Sequence, residues 1–140
     1  MKKHAWVFAL VSLFVSLNAL AIAANDPNTE LQKIQKLNND QAILFFTDQI
    51  KKNPKDAVAY AKRGKAYGAN KDYNQALIDY DKALKLDPKL ADPYVGRAVA
   101  YLMKKDYDKS WENVHKAESL GGKFWPAFTN ALKESSGREK

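Results

Sequence analysis

The chain has no cysteine among its 140 residues. No disulfide can brace it, and no cysteine follows its apolar start to carry a lipid, so stability must come from apolar packing. Histidine is almost as scarce, with only His4 and His115. His115 has Glu112 and Asp108 on nearby turns, but one histidine and two scattered carboxylates make a poor metal set. No Gly-rich phosphate loop or G-x-S-x-G turn is present, and Ser110 and Ser119 lack a base at helical spacing. The sequence therefore assigns no catalytic residue, no metal and no cofactor, and reads as something other than an enzyme. No basic stretch is interleaved with aromatics either. Lysines are mixed with aspartates at a net charge of +7, which describes a solvated, mildly basic surface and argues against nucleic acid as a partner.

The first residues have a separate character. Met1-Lys2-Lys3-His4 is basic, Ala5–Leu17 is an apolar run, and Asn18–Ala24 is rich in small residues. Ala21-Ile22-Ala23 fits the small-x-small pattern read by a signal peptidase. Residues 1–23 are thus expected to be an export signal, cut after Ala23, with Ala24 as the neighbouring choice. The alternative is an uncleaved anchor, since Ala5–Ala24 is long enough to span a bilayer, although Ser12, Ser16 and Asn18 interrupt it. The expected location is periplasmic or secreted, with no stable membrane insertion once the signal is removed.

What the chain does have is an echo at a spacing of 34 residues. Ala57–Leu90 repeats as Ala91–Phe124 without a gap: Tyr60 answers Tyr94, Arg63 answers Arg97, and Lys71-Asp72-Tyr73 answers Lys105-Asp106-Tyr107. A fixed period of this length means stacked units, none able to bury its apolar face alone. Each unit reads as two helices. In the first unit, Ala57–Ala69 carries Tyr60, Gly64 and Tyr67 on one side. Asp72 then starts Tyr73–Leu86 as an N-cap, with Gln75 as its capping-box partner. Asp87-Pro88 stops that helix. In the second unit, Asp92-Pro93 opens a helix bearing Tyr94, Ala98 and Tyr101. Asp106 caps the next, which carries Tyr107, Trp111, Val114 and Ala117 and ends at Gly121-Gly122. The period continues outward. Ala42, Phe46, Ile50 and Pro54 precede Ala76, Tyr80, Leu84 and Pro88 by one repeat, so residues 38–56 read as the second helix of a divergent unit. Residues 24–37 read as an N-terminal segment with a short helix bearing Leu31, Ile34 and Leu37. Phe128 and Leu132 follow Tyr94 and Ala98, so 125–134 reads as a half unit capping the stack, and 135–140 as a disordered tail.

This pattern resembles the tetratricopeptide repeat. Tyr60, Gly64, Tyr67, Ala76, Tyr80, Ala83 and Pro88 fill all seven signature places in the first full unit. Tyr94, Ala98, Tyr101 and Ala117 fill four in the second, where Ser110, Val114 and Gly122 depart. Arg63 and Arg97 stand where leucine is usual, which makes the seam partly polar. The resemblance implies an all-α solenoid of antiparallel helix pairs, about two and a half to three repeats long. It also implies a non-catalytic module that binds a protein or peptide in a concave groove lined by the first helices. Carried onto this chain, the groove comprises Val58, Lys62, Lys65, Val95, Val99, Leu102 and Met103. The apolar members would make contact, and the lysines would orient an acidic or C-terminal segment of a partner. The family's mode of gripping a terminal carboxylate uses Lys and Asn at groove places held here by Ala61 and Val95, so that mode is not expected. The alternatives are self-association through the stack ends, giving a homo-oligomer, or a membrane-anchored scaffold if the signal stays attached.

Overall fold

The computed structural model describes residues 27–138, so the expected export signal and the last two residues lie outside the described residues. Six helices are described: α1 (Pro27–Lys52), α2 (Ala57–Ala69), α3 (Tyr73–Leu86), α4 (Ala91–Met103), α5 (Tyr107–Ser119) and α6 (Pro126–Ser136). The chain divides into two compact units at Leu37/Asn38. The described part of the first is the opening of α1, where Leu31, Ile34 and Leu37 are exposed. The second is the helical stack: α2 packs on α3, α3 on α4, α4 on α5 and α5 on α6.

The bounds of α2 and α3 are those set by the repeat, and local chemistry explains them. Asp56 caps α2 by accepting the Ala59 amide at 2.9 Å, and Asp72 caps α3 by accepting the Gln75 amide at 3.2 Å. Lys71 and Lys105, one repeat apart, both adopt positive φ (65° and 62°). At each, the amide of the following aspartate donates to the helix just ended, Asp72 to Tyr67 and Asp106 to Tyr101, both at 2.9 Å. This is a Schellman stop built on lysine instead of glycine. It also corrects the capping-box expectation. The Asp72 amide already has the Tyr67 carbonyl as its acceptor, and the exposed Gln75 side chain is not needed.

Two expected boundaries differ. Residues 24–37 and 38–56 were expected to hold separate helices, yet α1 runs unbroken from Pro27 to Lys52. A turn there would need packed partners to offset its cost. Leu31, Ile34 and Leu37 are 62%, 55% and 58% exposed and supply none. The C-terminal tail is also shorter than expected. Ser135 and Ser136 belong to α6, Gly137 closes it at φ 67°, and Arg138 pairs with Asp108 at 2.7 Å. Trp111 Nε1 donates to Ser136 Oγ at 3.0 Å, which ties this end to α5.

The core follows the large-and-small alternation. Ala76, Ala83, Ala98 and Ala117 have no exposed surface, and Tyr80 is 5% exposed. Tyr60, Tyr67, Tyr94 and Tyr101 are half-buried and Pro88 is an exposed turn residue. At the C-terminal end Ala98, Trp111, Val114, Phe128 and Leu132 form one apolar cluster. Ser110, which replaces the usual alanine, is fully buried and donates to the Ala98 carbonyl at 2.7 Å. Its hydroxyl is thereby satisfied, so the departure from the repeat pattern costs little.

Candidate functional site

The expected groove residues split into two groups. Val58, Lys62, Lys65 and Met103 are exposed, Val58 by 48% and Met103 by 54%. Val95, Val99 and Leu102 are half-buried. Val99 and Leu102 pack against the cluster containing Phe128 and Leu132, so they serve the C-terminal core as well as any groove. The repeat pattern marks Tyr94, Ala98 and Tyr101 on α4 and does not show that α6 packs beside them. Lys62 lies 5.8 Å over the Phe46 ring, a cation–π contact between α2 and α1.

The polar seam holds a buried, two-point ion pair. Arg63 Nε donates to Asp79 Oδ2 and Nη2 to Asp79 Oδ1, each at 2.7 Å, while Nη1 donates to Thr47 Oγ1 at 3.1 Å. One guanidinium thus joins α1, α2 and α3. The Arg63 side chain is 18% exposed and that of Asp79 4%. Arg63 also lies 5.7 Å from the Tyr60 ring and 6.0 Å from Tyr67. The Asp79 hydrogen bonds hold its proton even more tightly than an ordinary guanidinium does. Asp79 was not singled out from the sequence, although an arginine at a usual leucine position is a reason to look for an acid one helix away.

Tyr80 sits beside this pair, with its ring between two glycines on successive first helices. A Cβ at Gly64 would fall 2.9 Å from Tyr80 Cε1, and one at Gly96 would fall 2.3 Å from Cζ. Gly64 is one of the signature places of the repeat; Gly96 lies outside them. Burial pushes the Tyr80 hydroxyl from 10.0 up to about 12, with the adjacent Asp79 carboxylate adding to the shift. The unfolded chain releases this proton at lower pH than the folded one. The stability due to Tyr80 is therefore complete below about pH 10 and falls away toward pH 12, by about 2–3 kcal/mol. Urea unfolding across that interval should show the loss in the parent and not in Tyr80→Phe. An equal alkaline loss in both would refute the assignment.

The second unit rearranges the same parts. Residue 81 lies one repeat after Thr47, and 113 one repeat after Asp79. Asp81 meets Arg97 Nη1 at 3.3 Å, while Asn113 stands where Asp79 would be. Arg97 Nε is buried with no hydrogen-bond partner. The link between units likewise recurs with changed chemistry. Asn70 Nδ2 donates to Asp40 Oδ1 at 2.6 Å, and one repeat later Lys104 Nζ donates to Asn74 Oδ1 at 2.6 Å.

Among the described residues no group of three or more His, Cys, Asp or Glu is placed to hold a metal. His115 stacks on Trp111 at 5.8 Å, and Asp108 is engaged by Arg138.

Comparison with known proteins identifies the architecture. Two tetratricopeptide repeat family models match, one over residues 57–90 and the other over residues 79–112. Among solved structures, the TPR2B domain of yeast Sti1, in complex with pHsp70, superposes with a TM-score of 0.64 at 22% identity, covering 77% of this chain and 95% of that one. The Arabidopsis OM64 TPR domain gives 0.62 at 24% identity, with 79% and 98% covered. The Sgt2 TPR domain from Aspergillus fumigatus gives 0.61 at 22%, with 79% and 78% covered. No curated protein matches the chain. Residues 57–112 thus match the tetratricopeptide repeat, which typically serves protein–protein interaction, and the described residues fold as an all-α solenoid of that type.

Proposed function

We propose that this chain is an exported adaptor or assembly factor of the bacterial envelope, holding a segment of a protein partner along the first helices of its repeats. The observation that carries the reading is the exposure of Val58 on α2 and Met103 on α4, on helices whose other sides are occupied by packing. Exposed apolar residues so placed favour an apolar partner segment. Lys62 and Lys65 add positive charge beside them and favour an acidic or C-terminal segment. The yeast Sti1 domain bound to pHsp70 lends support to a peptide or protein ligand on this architecture. The export component rests on the character of residues 1–23 alone. Among the described residues no helix is long and apolar enough to cross a membrane.

Val99 is a poor probe of the groove because it also packs on the core. A photo-crosslinking residue at Met103, introduced in cells, is expected to yield a defined adduct that Val58→Glu removes while the melting temperature stays unchanged. The same residue at Ile78, 59% exposed on the second helix α3, is expected to yield none. An adduct from Ile78 alone, or full capture by Val58→Glu, would overturn the groove assignment. Self-association is the second reading. It is favoured by Leu44 and Phe45, which stand 71% and 58% exposed on α1. Sedimentation over a range of concentrations separates the two.

A further inference from the structure

The two repeats treat the same arginine differently. In the first, a buried carboxylate grips Arg63 through Nε and Nη2, both at 2.7 Å. In the second, Asp81 approaches Arg97 Nη1 from the neighbouring helix at 3.3 Å, but the place of the gripping acid belongs to Asn113. Asn113 is 3% exposed and its Nδ2 donates to the Lys109 carbonyl at 2.7 Å, within its own helix. An open cavity of about 550 Å³ lies beside Arg97, lined also by Tyr94, Glu112, Asn113, His115 and Lys116. None of these residues belongs to the groove discussed above, so the cavity stands independently of the proposed function.

We propose that this cavity binds a carboxylate, the Asn113 side chain turning aside to uncover Arg97 Nε and yield the position that Asp79 takes relative to Arg63. Three observations converge on it. The guanidinium has a buried Nε–H with no acceptor, an unfavourable state that a carboxylate bridging Nε and an Nη relieves. The preceding repeat shows that the same fork, in the same scaffold, accepts a carboxylate at ideal distance. The cavity wall also carries Lys116, whose charge offsets the like-charge repulsion from Glu112 and from Asp81, itself half exposed. A carboxylate matches the fork with two oxygens; phosphate can also bridge a guanidinium, but its greater negative charge is opposed by Glu112 and Asp81, which favours the singly charged carboxylate. The carboxylate can come from an acidic side chain or from a chain terminus, and both sources present the same two oxygens.

The test follows the Arg97 Nε–H resonance in the intact chain by NMR. Millimolar N-acetyl-aspartate N-methylamide presents a side-chain carboxylate, and millimolar N-acetyl-alanine presents a terminal one. Either is expected to shift the Arg97 signal saturably and to leave Arg63 unmoved, and the tighter of the two names the source. Inorganic phosphate at the same concentration is expected to bind more weakly than either carboxylate, because Glu112 and Asp81 oppose its greater charge. Asn113→Asp restores the internal acid. It is expected to move the Arg97 signal toward that of Arg63 in the free protein, and to weaken probe binding by about tenfold or more. An Arg97 signal indifferent to both carboxylates, a preference for phosphate, or unimpaired binding by Asn113→Asp would each overturn the proposal. The parent titration decides even if the variant folds poorly.

Discussion

Asp79→Ala should cost about 3–5 kcal/mol. The side chain is 4% exposed, and its two oxygens receive both hydrogen bonds of the Arg63 fork. Removing it leaves a cation that is itself only 18% exposed, with Thr47 Oγ1 as its remaining hydrogen-bond acceptor. The loss comes mainly from stranding the charge, not from losing a favourable pair, because the desolvation of two ions nearly cancels their attraction. The double change Arg63→Met with Asp79→Leu should therefore recover most of the stability. Urea unfolding of the single and double variants measures both. If the double variant is as unstable as Asp79→Ala, the pair contributes far more than this argument allows.

Gly96→Ala should destabilise by about 1–3 kcal/mol, and lower the melting temperature by roughly 5–15 °C, although alanine is the better helix former by about 1 kcal/mol. The added Cβ would stand 2.3 Å from Tyr80 Cζ and 2.5 Å from its hydroxyl oxygen. The ring has nowhere to go. On its other side Gly64 already approaches so closely that a Cβ there would lie 2.9 Å from Cε1, and the tyrosine is 5% exposed. Gly68 provides the control. A Cβ there would meet Ala76 Cβ and the Tyr80 hydroxyl at an ordinary 3.8 Å, so Gly68→Ala should be neutral or stabilising. Coincident melts for the two variants would show that Tyr80 is not clamped. Adding Tyr80→Leu to Gly96→Ala should cancel part of the loss, as expected for residues in contact.

How much of this was legible beforehand depended on whether a feature was local. The Lys-Asp-Tyr turn repeats in sequence, and its Schellman stop and aspartate cap fall where the repeat puts them. The alternation of tyrosine with alanine and glycine similarly marked Ala76, Tyr80 and Ala83 as core. Gly96 was passed over because its role comes from a tyrosine on the preceding helix. The groove set was only partly legible, since whether Val99 and Leu102 face solvent depends on where α6 lies. Position-by-position comparison of polar residues between units would have flagged Asp79 against Asn113, and Thr47 against Asp81.

By itself the sequence determined the period, the number of helices from Ala57 onward and their class, because helix stops and the spacing of large and small residues act over a few neighbours. Tertiary structure decided which arginine is satisfied and which is not, where the tyrosine ring is trapped, and that α1 continues unbroken through Asn38. Those outcomes are set by side chains a full repeat apart in the chain and a few ångströms apart in space, a distance that spacing along one strand of residues does not encode.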